Sequence, residues 1–122
     1  MKWIFRGLLP AFALAVNGCT QGCDAVLKHG LGLVVLDETS GSPIASEVTV
    51  TVTEGTYTET VTIPPGGAPF VSLAAERPGT YRVEVQASGY LTWVRQSVRV
   101  TKDDCHVVPV EVIVRLVKSG RT

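Results

Sequence analysis

The sequence predicts an all-β protein, a sandwich of seven short strands, and three observations carry that expectation. Apolar and polar residues alternate with a period of two through most of the chain after Cys23. Turn signals recur at short, regular spacing: Gly41-Ser42-Pro43, Glu54-Gly55, Pro64-Pro65-Gly66-Gly67, Pro78-Gly79 and Ser88-Gly89. No stretch there carries apolar residues at helical spacing. Short alternating runs between frequent turns are the signature of two packed sheets.

The elements follow in order. Residues 31–37 form a mainly apolar, β-branched run that predicts a first strand, and the turn-rich segment Asp37 to Pro43 ends it. Asp37 reads as a turn residue whose carboxylate accepts backbone N–H bonds. Residues 47–54 alternate strictly, with Val48, Val50 and Val52 on one face and Thr49, Thr51 and Thr53 on the other. Residues 56–63 repeat the pattern. A two-residue turn at Glu54-Gly55 sets Thr53 against Thr56, Thr51 against Thr58, Val52 against Tyr57 and Val48 against Val61. Residues 70–75 give a short fourth strand. Arg77-Pro78-Gly79-Thr80 suits a type II turn, with Pro fixing φ and Gly supplying φ > 0. In the fifth strand Tyr81, Val83, Val85 and Ala87 point inward. From Thr92 to Thr101, alternation puts Val94, Val98 and Val100 on one face and Trp93, Arg95 and Arg99 on the other. The seventh strand runs from about Val108 to Val117, and Pro109 confines its start to an edge or a strand beginning.

Before this domain lies a different kind of sequence. Lys2 and Arg6 flank a short aromatic group, and an apolar run from Leu8 to Val16 follows. That is the pattern of a signal peptide. The run is too short for a membrane-spanning helix, which needs roughly 20 residues. Val16-Asn17-Gly18-Cys19 resembles the lipobox of bacterial lipoproteins: aliphatic at −3, small at −1, Cys at +1. Asn17 departs from the pattern at −2. The resemblance implies that Cys19 is diacylated and becomes the N-terminus, and two acyl chains anchor stably where one does not. The alternative is cleavage after Ala13 or Ala15, which leaves Cys19 a plain thiol. Thr20, in place of Asp, resembles an outer-membrane address. The expected organisation is a signal peptide at residues 1–18, an anchor and linker at 19–30, and the sandwich at 31–118.

Charge excludes one class of partner. The chain has 11 basic and 11 acidic residues, and losing Lys2 and Arg6 with the signal leaves a slight acidic excess. No basic field exists to hold phosphates, so nucleic-acid binding is not expected. With Cys19 lipidated, Cys23 and Cys105 remain, and two thiols in an oxidising compartment read as a disulfide. The rival is a metal site built from Cys23, His29, Cys105 and His106. That spacing is not a usual zinc pattern. Adjacent strand residues such as Cys105 and His106 also point to opposite faces. No metal and no cofactor is assigned.

Two stretches carry a family resemblance. Val35 to Ile44 (VLDETSGSPI) resembles the entry motif of carboxypeptidase regulatory-like domains, with Ser40 in the threonine place. Pro78 to Tyr90 (PGTYRVEVQASGY) is similar to that family's Pro-Gly-x-Tyr-x-Val-x-Val-x-Ala-x-Gly-Tyr. The resemblance implies a seven-stranded, Greek-key, transthyretin-like sandwich related to Ig-like folds, in a module that is not itself catalytic.

The residues agree with that last point. No nucleophile–base pair, metal motif or phosphate loop is present. Asp103-Asp104 read as a solvated turn, and His106 as packed or exposed. The expected role is a non-catalytic, membrane-anchored envelope lipoprotein module that binds or scaffolds an envelope protein, peptide or glycan. The alternative is a carbohydrate- or peptide-binding accessory domain using a surface of Tyr90, Trp93, Arg95 and Arg99, where an outward Trp beside Arg suits sugars and aromatic groups. Against that stands a simpler use of Trp93, covering the rim of the sandwich under an Arg stem.

Overall fold

Strict alternation of valine with threonine leaves residues 48–54 only one way to bury an apolar face, as a strand with Val48, Val50 and Val52 inward. In a computed structural model of the chain, which describes residues 23–120, those three valines are buried and the threonines between them half-buried. The same logic forms seven strands among the described residues: β1 (His29–Asp37), β2 (Val48–Glu54), β3 (Tyr57–Ile63), β4 (Phe70–Ala75), β5 (Gly79–Ala87), β6 (Trp93–Val100) and β7 (Val110–Leu116). The described residues contain no helix.

The strands form two sheets, ordered β4-β1-β7 and β3-β2-β5-β6. β5 returns to pair with β2, not with its chain neighbour β4. β1 and β7 run parallel; every other pair is antiparallel. Leu31, Leu33 and Val35 of β1, Leu73 of β4 and Val112, Val114 and Leu116 of β7 face the valines of β2 and β5 across the core. Tyr81 is the largest fully buried side chain, and its hydroxyl donates to the Arg77 carbonyl at 2.8 Å. Gly30 marks a close approach. A Cβ there would lie 2.6 Å from Val100 Cγ1, so the start of β1 packs where only glycine fits.

Three local expectations need correction. The β2–β3 turn is Gly55-Thr56, which pairs Glu54 with Tyr57, Thr53 with Thr58, Val52 with Glu59 and Val48 with Ile63. Gly55 supplies φ 61° at the first turn position, as a II′ hairpin turn requires. The register differs from the expected one by two residues, so each residue keeps its face. Gly79 has φ 156° and already belongs to β5, so it does not serve a type II turn. The tight turn lies upstream, closed by Arg77 N–H to the Ala74 carbonyl at 3.2 Å, and Glu76 carries the positive φ of 49°. The third lies in β6, where a bulge divides the expected surface.

Candidate functional site

At one end of the sandwich the chain is bonded to itself. Cys23 and Cys105 form the disulfide that cysteine arithmetic pointed to, with Cα atoms 5.1 Å apart and a sequence separation of 82. The parallel pairing of β1 with β7 makes this possible, because both strands start at the same end. The bond brings its neighbours together. His106 Nδ1 lies 2.6 Å from Glu76 Oε2, and Nε2 lies 2.8 Å from Asp24 Oδ1. Glu76 sits in the turn between β4 and β5; its Oε2 also accepts Lys28 N–H at 2.9 Å, and its Oε1 accepts Val107 N–H at 3.3 Å. The segment before β1 is thus tied to the β6–β7 connection by a disulfide, an imidazole and a carboxylate. An open cleft of about 420 Å³ lies beside them, walled by Val26, Leu27, Pro78 and Lys102.

The electrostatics follow from those contacts. Glu76 first, then Asp24, holds the imidazolium form, so the His106 pKa lies above its ordinary value. Backbone N–H donation from Lys28, with the His106 contact, holds Glu76 low, and the bond to His106 holds Asp24 low. Asp103 Oδ1 accepts the N–H groups of Cys105 and His106, both at 2.9 Å, which keeps its own pKa low. Asp103 therefore caps the turn that presents the disulfide. Both ring nitrogens of His106 are engaged by carboxylates on different elements, so the ring clamps two segments together. No group of three or more His, Cys, Asp or Glu able to hold a metal occurs among the described residues.

The opposite end is closed without a covalent bond. Asp37, at the end of β1, is buried to 4% exposure. Its Oδ1 accepts the Thr39 and Ser40 N–H groups at 2.8 Å each, the turn role read from sequence. Its Oδ2 accepts the Tyr90 hydroxyl at 2.6 Å, and Lys118 Nζ lies 3.7 Å away. The Tyr90 bond, then the Ser40 and Thr39 amides, pull the Asp37 pKa down to about 2. Tyr90 thus has its polar end committed to Asp37.

The four-residue surface of Tyr90, Trp93, Arg95 and Arg99 is not assembled. Trp93 pairs with Val85 and Arg95 with Val83, but beyond them Val98 pairs with Tyr81 and Arg99 with Thr80. An extra residue enters at Gln96-Ser97, where Ser97 has φ 58°. This β-bulge reverses the alternation of β6. Trp93 and Arg95 consequently share the inward face of Val83 and Val85, while Arg99 points out with Thr80. Val94 is exposed, whereas Val98 and Val100 are buried. Trp93 is half-buried and packs against the core, with the Arg95 guanidinium 5.2 Å from its ring centroid. That is the geometry of a rim cover.

Sequence reasoning missed the His106–Glu76–Asp24 clamp. Its members are far apart in sequence, but a signal was available: once Cys23 is bonded to Cys105, their neighbours Asp24 and His106 must lie close. The expected lipidation site, Cys19, lies outside the described residues.

Among curated proteins no relative matches this chain. A family model does: the carboxypeptidase regulatory-like domain, over residues 31–114. These are the residues of the sandwich from β1 into β7, so the chain belongs to the carboxypeptidase regulatory-like domain family, whose members are regulatory, non-catalytic modules.

Proposed function

We propose that this protein is a non-catalytic envelope lipoprotein module, anchored through acylated Cys19, that binds or scaffolds another envelope component. The observation that supports this most directly is the Cys23–Cys105 disulfide. Such bonds persist in oxidising compartments outside the cytoplasm. The positive and then apolar N-terminal pattern, with its lipobox-like end, supplies the route there and the anchor. Thr20 after the lipid-bearing cysteine favours the outer membrane. Cys19 and Cys23 are close in sequence, and four residues of extended chain reach at most about 14 Å. The disulfide end is therefore tethered near the bilayer.

A carbohydrate- or peptide-binding role is weaker on this reading, because Arg99 and the Tyr90 hydroxyl do not join Trp93. The module has no enzymatic role in this proposal: its single clamped histidine is held by carboxylates on both nitrogens. The test is metabolic labelling with a fatty acid, alongside fractionation of cells producing wild type or Cys19→Ser. Wild type should take up label and sediment with membranes, and Cys19→Ser should do neither. Unlabelled wild type in the soluble periplasmic fraction overturns the proposal.

A further inference from the structure

Among the described residues four strands lie at sheet edges: β4 and β7 in one sheet, β3 and β6 in the other. An edge strand offers unpaired backbone groups to other chains, and proteins commonly blunt it. Two of these edges are broken and one seam is tied. β4 leaves extended conformation at Ala74 (φ 58°), whose N–H donates to Glu59 Oε1 of β3 at 2.9 Å, tying that side of the sandwich together. β6 is bent by its bulge. β3 and β7 contain no glycine, no proline and no positive φ, and of the two β7 alone carries both an acidic and a basic residue.

The free side of β7 can be located. The Leu116 carbonyl turns toward β1 and accepts Glu38 N–H at 2.9 Å, while the Val117 carbonyl turns the other way and accepts Leu91 N–H at 2.8 Å. Backbone groups alternate along a strand, so those of Glu111, Ile113 and Arg115 face away from β1. Among the described residues, loop 89–91 covers that side beyond Leu116.

The side chains of these same three residues are exposed on the outer face, while Val112 and Val114 are buried. They read acidic, apolar, basic, and reversing the strand exchanges the charges about Ile113. Ile113, 48% exposed, also ends an apolar row, since Val34 pairs with both Ile113 and Phe70, and Phe70 is 65% exposed.

We propose that β7 pairs antiparallel with β7 of a second copy of this chain, about a two-fold axis through Ile113. Such an interface is isologous, so each complementary contact occurs twice. Glu111 lies opposite Arg115 of the second copy, Arg115 opposite its Glu111, and Ile113 opposite itself. The two three-stranded sheets join into one, and the Phe70–Val34–Ile113 row continues across the junction. The ladder has natural limits. Pro109 would face Val117, and the bond from residue 109 to the carbonyl of 117 is not called for: Pro109 has no N–H, and Leu91 already donates to that carbonyl. This pairing is a scaffolding contact in its own right and does not depend on lipidation.

The charge pattern makes the test decisive. Glu111→Arg puts arginine opposite arginine at both contacts, and Arg115→Glu puts glutamate opposite glutamate. Mixed, the two variants complement each other at both. Full-length protein in density-matched detergent should show a concentration-dependent dimer by sedimentation equilibrium. Each variant alone should self-associate at least about tenfold more weakly. An equimolar mixture should form a heterodimer of near wild-type affinity. Circular dichroism should show both variants folded, since both positions are exposed. A monomeric wild type, single reversals without effect, or a mixture that fails to associate each overturns the proposal.

Discussion

Where β1 begins, the chain is held by the Cys23–Cys105 bond and by His106 set between Glu76 and Asp24; where β1 finishes, it is held by Asp37 reaching Tyr90 and the turn amides. Each end fastens the first strand to segments late in the chain. The covalent end is wet: Cys23 and Cys105 are exposed, and Asp24 keeps 63% of its side-chain surface in solvent. The non-covalent end is dry around a single carboxylate, with Asp37 side-chain exposure of 6%. A cross-link works through the unfolded chain and needs no burial. A carboxylate holding a turn and a tyrosine gains most when water is kept from it. The two ends therefore fail under different conditions.

The largest expected effect breaks the covalent end alone. Cys105→Ser frees an 82-residue loop, which the chain-entropy model values at about 4–5 kcal/mol, with measured losses commonly about 2–5. That is a large part of the stability of a small domain. Thermal melts of wild type with and without reductant, beside the variant, measure it. Reduced wild type should match the variant. A melt that reductant leaves unchanged would show that His106, Glu76 and Asp24 hold this end by themselves.

At the other end, Trp93→Ala should lower stability by about 2–3 kcal/mol, below the range for a fully buried aromatic because Trp93 is only half-buried. Arg95→Ala, at an exposed position, should change it little. Tyr90→Phe removes one hydrogen bond to a charged acceptor and should cost about 1.5–3 kcal/mol. Urea midpoints at neutral pH rank the three. If Trp93→Ala instead leaves stability intact and abolishes binding to a glycan or peptide array, the rim reading fails and the ligand-face reading returns.

The contrast between the ends also shows what the sequence could and could not say. Asp37 was legible because a turn carboxylate acts locally, two and three residues ahead. The disulfide was legible from counting thiols. The strand faces were legible wherever valine alternated with threonine. That same repetition concealed the hairpin register, because an even shift preserves every face and only the place of Gly55 in the turn decides. The β6 bulge was invisible, since Gln96-Ser97 carries no glycine or proline to mark it. The Pro78-Gly79 pair suggested a turn, yet the positive φ went to Glu76, whose carboxylate is fixed by Lys28, Val107 and His106. Those are tertiary contacts, and no local pattern encodes them.

The smallest expected effect separates the ends by pH, because their titrations have opposite sign. Asp37 has its pKa lowered from 3.8 to about 2, first by Tyr90 and then by the Ser40 and Thr39 amides. A group with a lowered folded pKa stabilises fully above its unfolded value and loses that contribution as pH falls through the folded one. The Asp37 end should therefore hold above about pH 4 and weaken toward pH 2. Asp24, Glu76 and Asp103, also lowered, add to the same acid limb. His106 runs the other way. Its pKa is raised above 6.5 by Glu76 and Asp24, so its contribution is complete below 6.5 and fades as pH rises through the raised value. Urea midpoints from about pH 2 to about pH 9 should thus form a plateau with an acid limb and a shallower alkaline one. Asp37→Asn should make the acid limb shallower, leaving the part carried by Asp24, Glu76 and Asp103, and leave the alkaline limb in place. His106→Gln should flatten the alkaline limb, and under reducing conditions its effect should grow, because the clamp then holds Asp24 without the disulfide beside it. An alkaline limb that persists unchanged in His106→Gln would mean that the imidazole spans Glu76 and Asp24 without stabilising the fold, and that the disulfide alone secures that end.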